Sequence, residues 1–167
     1  MDIRQLNEND AEAFRDLRLR GLREHPEAFL ASYDEEVATP VEALAERLRL
    51  STSGDFYLGA FVDGQLVGMA HFDRQKGRKV EHRAYIGEMV VLPEMRGLGI
   101  GRLLLERLVE HARRLPGLEE VGLWVIIGNE RAQALYEAAG FETFCIEPRA
   151  FKIDGRYYDA AGMILRL

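Results

Sequence analysis

Apolar residues along this chain follow two different periods, which predicts alternating strands and helices. Helical spacing marks four segments, and shorter runs of aromatic and β-branched residues mark the strands around them. The predicted helices run from Asn9 to about Glu24, Thr39 to between Leu50 and Ser53, Leu103 to the Pro116-Gly117 pair, and Asn129 to Ala139. The predicted strands are Met1 to Leu6, Phe56 to Val62, Gln65 to Phe72, Arg83 to Leu92, Val121 to Ile127, Phe141 to Ile146, Phe151 to Ile153 and Met163 to Leu167.

The order of these elements, β-α-α-β-β-β-α-β-α-β-β, combines antiparallel hairpins with strand-helix-strand crossovers. Hairpins and crossovers in one chain are typical of a mixed sheet. We therefore predict one domain over residues 1–167, of the α/β class (α+β, mixed sheet), with about six to seven strands and helices on both faces.

Turn and cap residues set the boundaries of several elements. Asn9, with a glutamate three residues later, predicts a capping box for the first helix. Thr39 is the predicted N-cap of the second helix, with Pro40 at its first position. Asp63-Gly64 predicts a tight hairpin, and Pro93 closes the strand before it because proline cannot donate to a sheet ladder.

The charge and composition of the chain disfavour some classes of binding partner. The 22 basic and 28 acidic residues give a net charge of −6, which on average repels nucleic acid and anionic membranes. No apolar run is long enough to span a bilayer, and the N-terminus lacks a secretory pattern, so we expect a cytoplasmic protein. Its single cysteine, Cys145, fits a reducing compartment, and its four separated histidines predict no metal site.

The segment most informative about function is glycine-rich and lies between a predicted strand and a predicted helix. It reads Arg96-Gly97-Leu98-Gly99-Ile100-Gly101. Glycines allow backbone N–H groups to approach a ligand, and the unpaired donors of a helix N-terminus favour an anion such as phosphate. Arg96 and Arg102 would add positive charge at this site. An ordinary strand-to-helix turn explains the glycines alone equally well.

Two nucleotide-binding motifs do not fit this segment. A Rossmann fingerprint requires a glycine where Leu104 stands, and a Walker loop requires Gly-Lys-Ser/Thr. Arg-x-x-Gly-x-Gly after a strand resembles instead the coenzyme A pyrophosphate loop of the GNAT superfamily of N-acetyltransferases. A second block strengthens the resemblance, because it matches the Asn-x-x-Ala-x-x-Leu-Tyr and Gly-Phe pattern of the superfamily. Its residues here are Asn129, Ala132, Leu135, Tyr136, Gly140 and Phe141.

The resemblance implies a GNAT-like sheet and a site for acetyl-CoA as co-substrate. Backbone groups of Met89, Val90 and Val91 would contact the pantetheine arm, and a backbone N–H near Val90 would hold the thioester oxygen. Asn129 would bond to the cofactor arm; as an alternative it simply caps the following helix. The residues implied to hold the pyrophosphate are Arg96, Gly97, Leu98, Gly99, Ile100, Gly101 and Arg102.

The resemblance also implies two catalytic residues. Tyr136 falls where the superfamily has a general acid that protonates the departing thiolate. Judged by its residue type alone, without the motif, Tyr136 would be a core aromatic residue. Some relatives carry a glutamate where this chain has Trp124, so Glu88 is the candidate general base. The alternative for Glu88 is a solvent-facing or salt-bridged strand residue.

The function implied is acetyl transfer from acetyl-CoA to a primary amine, on a small molecule or a peptide N-terminus, by direct attack. The alternatives are a non-catalytic acyl-CoA sensor and a nucleotide-binding protein. We also predict a homodimer. We expect aromatic residues near the C-terminus to line the acceptor pocket or to pack, and two acidic residues to attract a cationic acceptor or to be solvated. These residues are Phe144, Phe151, Tyr157 and Tyr158, and Glu35 and Glu36.

Overall fold

A mixed β-sheet runs through the computed structural model, which describes residues 1–26, 29 and 31–167. The strands are β1 (Asp2–Gln5), β2 (Asp55–Val62), β3 (Gln65–Arg74), β4 (Arg83–Val91), β5 (Glu120–Ile126), β6 (Glu142–Ile153) and β7 (Arg156–Arg166). The helices are α1 (Ala11–Glu24), α2 (Tyr33–Val37), α3 (Val41–Arg49), α4 (Ile100–Arg114) and α5 (Glu130–Ala138). The sheet has seven strands in the order β1-β2-β3-β4-β5-β7-β6, which confirms the predicted mixed sheet.

Strands β4 and β5 form a parallel pair that soon separates. Their register extends from Arg83 opposite Glu120 to Tyr85 opposite Gly122 and then stops. Beyond Tyr85, β4 keeps its antiparallel partner β3 on one side. The other edge of β4, residues 86–91, therefore borders a gap in the sheet.

A β-bulge lies in β4 beside this gap. Met69 pairs with Val90 but His71 pairs with Gly87, so β4 carries one residue more than β3 between these pairs. Glu88 lies in the bulge and has a positive φ of 49°. Its side chain points toward α1, whereas Met89 packs on the α4 side, as the alternation of a strand predicts. Bulges recur next to active sites because they redirect side chains.

Helices cover both faces of the sheet, as predicted. On one face α1 and α3 bury Phe14, Leu17 and Leu44 against Tyr57. On the other face the apolar side of α4 lies on the sheet with α5 beside it. No helix of the described residues is both long and apolar enough to cross a bilayer. The buried faces of α1 and α3 include Phe14, Leu17, Gly21, Leu22, Leu44 and Leu48.

Three local predictions need correction. Asn7, not Asn9, forms the first capping box, because the carboxylate of Asp10 reaches back to the Asn7 N–H and a 3-10 turn precedes α1. The second predicted helix begins one residue later than expected. Pro40 has an extended ψ of 146° and so occupies the N-cap. The hydroxyl of Thr39, just after the short helix α2, donates instead to the carbonyl of Glu35 within that helix. The sequence patterns did not predict α2.

The hairpins agree with their turn signals. Asp63 and Gly64 both have positive φ, the conformation that a tight two-residue hairpin requires. At the C-terminus β6 is continuous from Glu142 to Ile153, so the two strands predicted there are one. The extra residues between Glu147 and Phe151 form an irregularity within β6 instead of a break.

Candidate active site

The glycine-rich loop between β4 and α4 presents open backbone to its surroundings. Gly97 and Gly99 have φ of 82° and 79°, a region that disfavours residues with a Cβ, and Gly99 is the N-cap of α4. A Cβ built on either glycine meets no protein atom within 4 Å. The space beside both residues is therefore open to a ligand, and the unpaired N–H groups of the first turn of α4 lie next to it.

A cavity of about 550 Å³ follows this loop onto the gap beside β4. The residues predicted to hold coenzyme A converge there with one exception, Leu98, which is 64% exposed and does not line the cavity. The predicted residues that line it are Met89, Val90, Val91, Arg96, Gly97, Gly99, Ile100, Gly101, Arg102 and Asn129. The fold therefore brings together two blocks of sequence that lie about one helix and one strand apart.

The two arginines of the loop differ in their contacts. Arg96 donates through Nε to the carbonyl oxygen of Val91 at 3.1 Å, and its Nη2 lies 2.8 Å from Nε2 of His25. This ties the loop to the end of β4. Arg102 is exposed and pairs with Glu106, one turn further along α4, at 2.7 Å. An exposed pair of this kind contributes little to stability, so Arg102 can exchange Glu106 for a phosphate at little cost.

Asn129 and Tyr136 lie where the first cavity meets a second. Asn129 caps α5 by accepting from the N–H of Ala132 at 3.2 Å, so its expected capping role is confirmed. Tyr136 is 9% exposed and packs edge-on to Phe141. Burial raises the pKa of Tyr136 to about 12, which keeps its hydroxyl protonated at neutral pH. Both side chains line both cavities, together with Met89 and Ala132.

The second cavity, about 420 Å³, lies along the gap between β4 and β5 and is lined by residues from both faces of the sheet. We call it the acceptor cavity. Its walls are mainly aromatic and aliphatic, with two carboxylates and one imidazole, and none of the described residues that line it is lysine or arginine. Its polar and aromatic lining residues are Phe29, His71, Asp73, Tyr85, Glu88, Trp124, Asn129, Tyr136 and Phe151.

Glu88 is held in the wall of the acceptor cavity by two donors. Arg18 and the hydroxyl of Tyr57, the latter at 2.6 Å, both donate to Oε2 of Glu88. Burial by itself raises the pKa of Glu88, but the Arg18 charge and the Tyr57 hydrogen bond outweigh it, and the pKa lies below the ordinary value. Glu88 is therefore an anion at neutral pH and a weak proton acceptor.

Arg18 connects Glu88 to α2. It is 1% exposed and makes a two-pronged pair with Glu36, with N···O distances of 2.9 and 2.8 Å. Burial tends to lower the pKa of Arg18, but the hydrogen bond to Glu36 and the Glu88 charge raise it overall. The sequence analysis did not select Arg18. Its position on the apolar face of α1, at helical spacing between Phe14 and Leu22, was the available signal, because an arginine on such a face needs a partner.

The remaining sequence candidates divide between the cavity and the surface. Phe151 and Trp124 line the acceptor cavity, and Trp124 is 41% exposed. Phe144 packs against the outside of Trp124, with ring centroids 6.1 Å apart. Glu35 is exposed at the start of α2, where its carboxylate accepts from the N–H of Ser32, whereas Glu36 is buried against Arg18 and is not the solvated charge expected of a loop. The described residues that line this cavity do not include Tyr157, Tyr158 or Cys145.

This geometry agrees with a comparison against known protein families. Residues 5–141 match the acetyltransferase (GNAT) family model. The chain belongs to the GNAT family of acetyltransferases. The resemblance inferred from the glycine loop and the Asn129 to Phe141 block is thereby confirmed.

Individual GNAT proteins resemble the chain over different lengths. N-alpha-acetyltransferase RimI of Mycobacterium tuberculosis is 35% identical over 106 residues, which are 64% of this chain and 64% of that protein. The chain spans between 27% and 64% of the length of the first four curated relatives that it matches.

Solved GNAT structures share the fold over nearly the whole chain. A GNAT-family acetyltransferase from Streptococcus pneumoniae superposes with a TM-score of 0.90 at 24% identity, with 99% of both chains covered. The protein yncA from Salmonella typhimurium, solved with its cofactor acetyl-CoA, has a TM-score of 0.84 at 23% identity and covers 99% of this chain and 93% of its own.

Proposed function

We propose that this GNAT protein transfers an acetyl group from acetyl-CoA to a primary amine by direct attack. The observation that carries the proposal is the meeting of two cavities at Tyr136 and Asn129, where β4 and β5 separate. One cavity follows the glycine loop, and the other has carboxylates and aromatic walls. Two reactants that enter through these two cavities would meet beside Tyr136.

The chain offers a fitting site for acetyl-CoA. The open space beside Gly97 and Gly99 suits a pyrophosphate, since the N–H groups of the α4 N-terminus and Arg102 supply donors and positive charge. The unpaired edge of β4 offers backbone groups of residues 89–91 to an extended amide-containing arm. Acetyl-CoA would supply the acetyl group as a thioester, and the backbone N–H near Val90 would stabilise the charge that develops on its oxygen.

Tyr136 is the group that we propose gives a proton to the leaving sulfur. Its raised pKa keeps the phenol protonated at neutral pH, so Tyr136 is available as a proton donor when negative charge develops on the sulfur. Its place at the junction of both cavities supports this role better than a packing role, because a core tyrosine has no need to border either cavity.

The acceptor cavity favours a cation. Asp73 and Glu88 face it without a lysine or arginine among its described lining residues, and aromatic rings attract ammonium groups. Most alkylamines enter as ammonium ions at neutral pH, so the acceptor site would concentrate the substrate in its protonated form. We place Glu88 in this electrostatic role. Its role as the general base stays a prediction, against which its lowered pKa and its Arg18 partner argue.

A thiol-release assay tests the proposal. Acetyl-CoA is offered with polyamines, amino acids, aminoglycosides and peptides with free N-termini, while calorimetry measures acetyl-CoA binding separately. We expect binding and amine-dependent release of the thiol. Tight binding without release by any amine would contradict the enzyme and leave the acyl-CoA sensor.

We also infer, from the acidic composition and the single cysteine, that the protein works in the cytoplasm, and we keep the homodimer as a prediction. Cell fractionation tests the first inference. Light scattering on the purified chain tests the second, and a monomer at all concentrations would contradict it.

A further inference from the structure

A third cavity, about 850 Å³, opens beside the acceptor cavity between α3 and the strands β2 and β3. We call it the outer groove. The two spaces share two lining residues, His71 and Asp73. His71 therefore borders both the acceptor site and a wide groove. A side chain in this position is suited to pass a proton from substrate to water.

The His71 ring is held on two sides. It stacks on the ring of Tyr57, with centroids 4.3 Å apart and planes within 17°, and Nε2 lies 2.9 Å from Oδ1 of Asp55. A carboxylate can only accept, so Nε2 carries the hydrogen and the lone pair of the neutral ring is on Nδ1. In this tautomer Nδ1 is the nitrogen that can take up a proton.

Charged and titratable groups face His71 from all the elements packed around it. Asp55 carries a charge, because its hydrogen bond to His71 and the nearby Lys76 outweigh the effect of burial and lower the pKa of its carboxyl. The negative charge of Asp55 would stabilise the imidazolium that forms when His71 accepts a proton. Among the described residues, the charged and titratable ones that line these two cavities with His71 are Asp55 and Tyr57 on β2, Asp73 on β3, Tyr85 and Glu88 on β4, Glu46 and Arg47 on α3, Lys76 after β3 and Tyr136 on α5.

We propose that His71, positioned by Asp55, is the general base that removes the proton from the acceptor ammonium ion, directly or through one water molecule. The inference rests on the proposed function. In this step an N–H bond of the ammonium breaks, its electron pair stays on the amine nitrogen as the nucleophilic lone pair, and the proton bonds to Nδ1. Over the whole reaction, ammonium plus thioester gives amide, thiol and one proton, which His71 releases into the outer groove.

His71 suits this role better than Glu88 does. Glu88 already accepts two hydrogen bonds, one of them from a buried arginine, and these hold its charge in place. In the imidazole, by contrast, only Nε2 is hydrogen-bonded to Asp55, and the lone pair on Nδ1 stays available to a proton. The side chains of His71 and Asp55 are 17% and 41% exposed, so a proton can leave toward solvent.

The test compares two acceptors that differ in their need for a base. Benzylamine is an ammonium ion at neutral pH, whereas aniline is already neutral. For His71→Gln we expect kcat/KM with benzylamine at pH 7 to fall about 10²-fold to 10⁴-fold, in the range usual for loss of a general base, and kcat/KM with aniline to change much less. Without the base, kcat/KM should follow the free-amine fraction, so the acid limb of the wild-type benzylamine profile should be replaced by a rise that continues toward the pKa of benzylamine itself, and acetyl-CoA affinity should be unchanged.

Asp55→Asn distinguishes positioning from chemistry. Loss of the neighbouring negative charge makes the imidazolium less stable, so the acid limb should move to lower pH with a smaller fall in rate. His82→Gln is the matched control, because His82 is not among the described residues lining any of the three cavities. Circular dichroism checks that each variant is folded.

Two results would overturn the inference. One is a His71→Gln pH profile that keeps the wild-type limb. The other is an equal loss of rate with benzylamine and aniline, which would make His71 a packing residue. If the wild-type protein acetylates neither of these amines nor any amine of the thiol-release panel, the proposed function itself fails. Calorimetry with acetyl-CoA distinguishes this outcome from misfolding, because a misfolded protein would not bind acetyl-CoA.

Discussion

At the residue scale, Gly99 combines two properties that a substitution would separate. Its φ of 79° disfavours other residues, and the space beside it is open. We expect Gly99→Val to abolish acetyl-CoA binding, because the side chain would fill the space where the backbone meets the pyrophosphate. Calorimetric titration with acetyl-CoA checks this.

Gly64 is the matched control for Gly99. It has φ of 81° with no atom within 4 Å of an added Cβ, but it lies in the β2–β3 hairpin. Gly64→Val should lower the free energy of unfolding through the same backbone strain, roughly 1–3 kcal/mol, and leave acetyl-CoA binding intact. Near-normal binding by Gly99→Val would contradict the loop assignment.

Tyr136 is the residue whose loss should separate chemistry from binding. Tyr136→Phe keeps the buried ring and removes the proton donor, so we expect turnover to fall about 10²-fold to 10⁴-fold, or ~3–5 kcal/mol, with acetyl-CoA affinity nearly unchanged. Steady-state kinetics and calorimetry measure the two effects. Tyr158→Phe should keep full turnover, because Tyr158 is not among the described residues that line the three cavities. Unchanged turnover in Tyr136→Phe would remove Tyr136 from the mechanism.

At the element scale, α1 contributes a buried charge as well as an apolar face. Arg18→Met would leave the carboxylates of Glu36 and Glu88 without their shared partner, and we expect the free energy of unfolding to fall by about 3–5 kcal/mol. Urea denaturation measures the change. Arg20→Met on the same helix removes an exposed pair with Glu94, and its effect should be small. Equal effects would show that burial of Arg18 is not what matters.

The bulge in β4 is a feature that the alternation of residues along one strand does not predict. The alternation of residues 83–92 predicted the strand, but the extra residue beside His71 depends on how β3 pairs with β4. Pairing joins residues about twenty positions apart, so a local pattern contains no information about it. The short helix α2 was missed for a related reason, since its one buried residue, Glu36, is placed there by Arg18.

At the scale of the whole molecule, the network of Arg18 and Glu88 links stability to pH. The folded-state pKa of Glu88 is below the ordinary 4.5, so its charge stabilises the fold above that pH, and the contribution is lost as pH falls through the folded value. The wild type should therefore lose its stability advantage over Glu88→Gln below about pH 4.5. Urea denaturation at pH 7, 4 and 3 checks this; a constant difference would contradict it.

The sequence by itself determined most of the order of elements, because that order depends on residue type at short spacing, which local backbone physics sets. The candidate roles of the glycine loop, Tyr136 and Asn129 came from the resemblance of two sequence motifs to the GNAT superfamily. The tertiary structure decided which groups meet across the gap between β4 and β5: Arg18 with Glu88, and His71 with Asp55. Such partners come from distant segments, and their charges, burial and protonation exist only once those segments pack together.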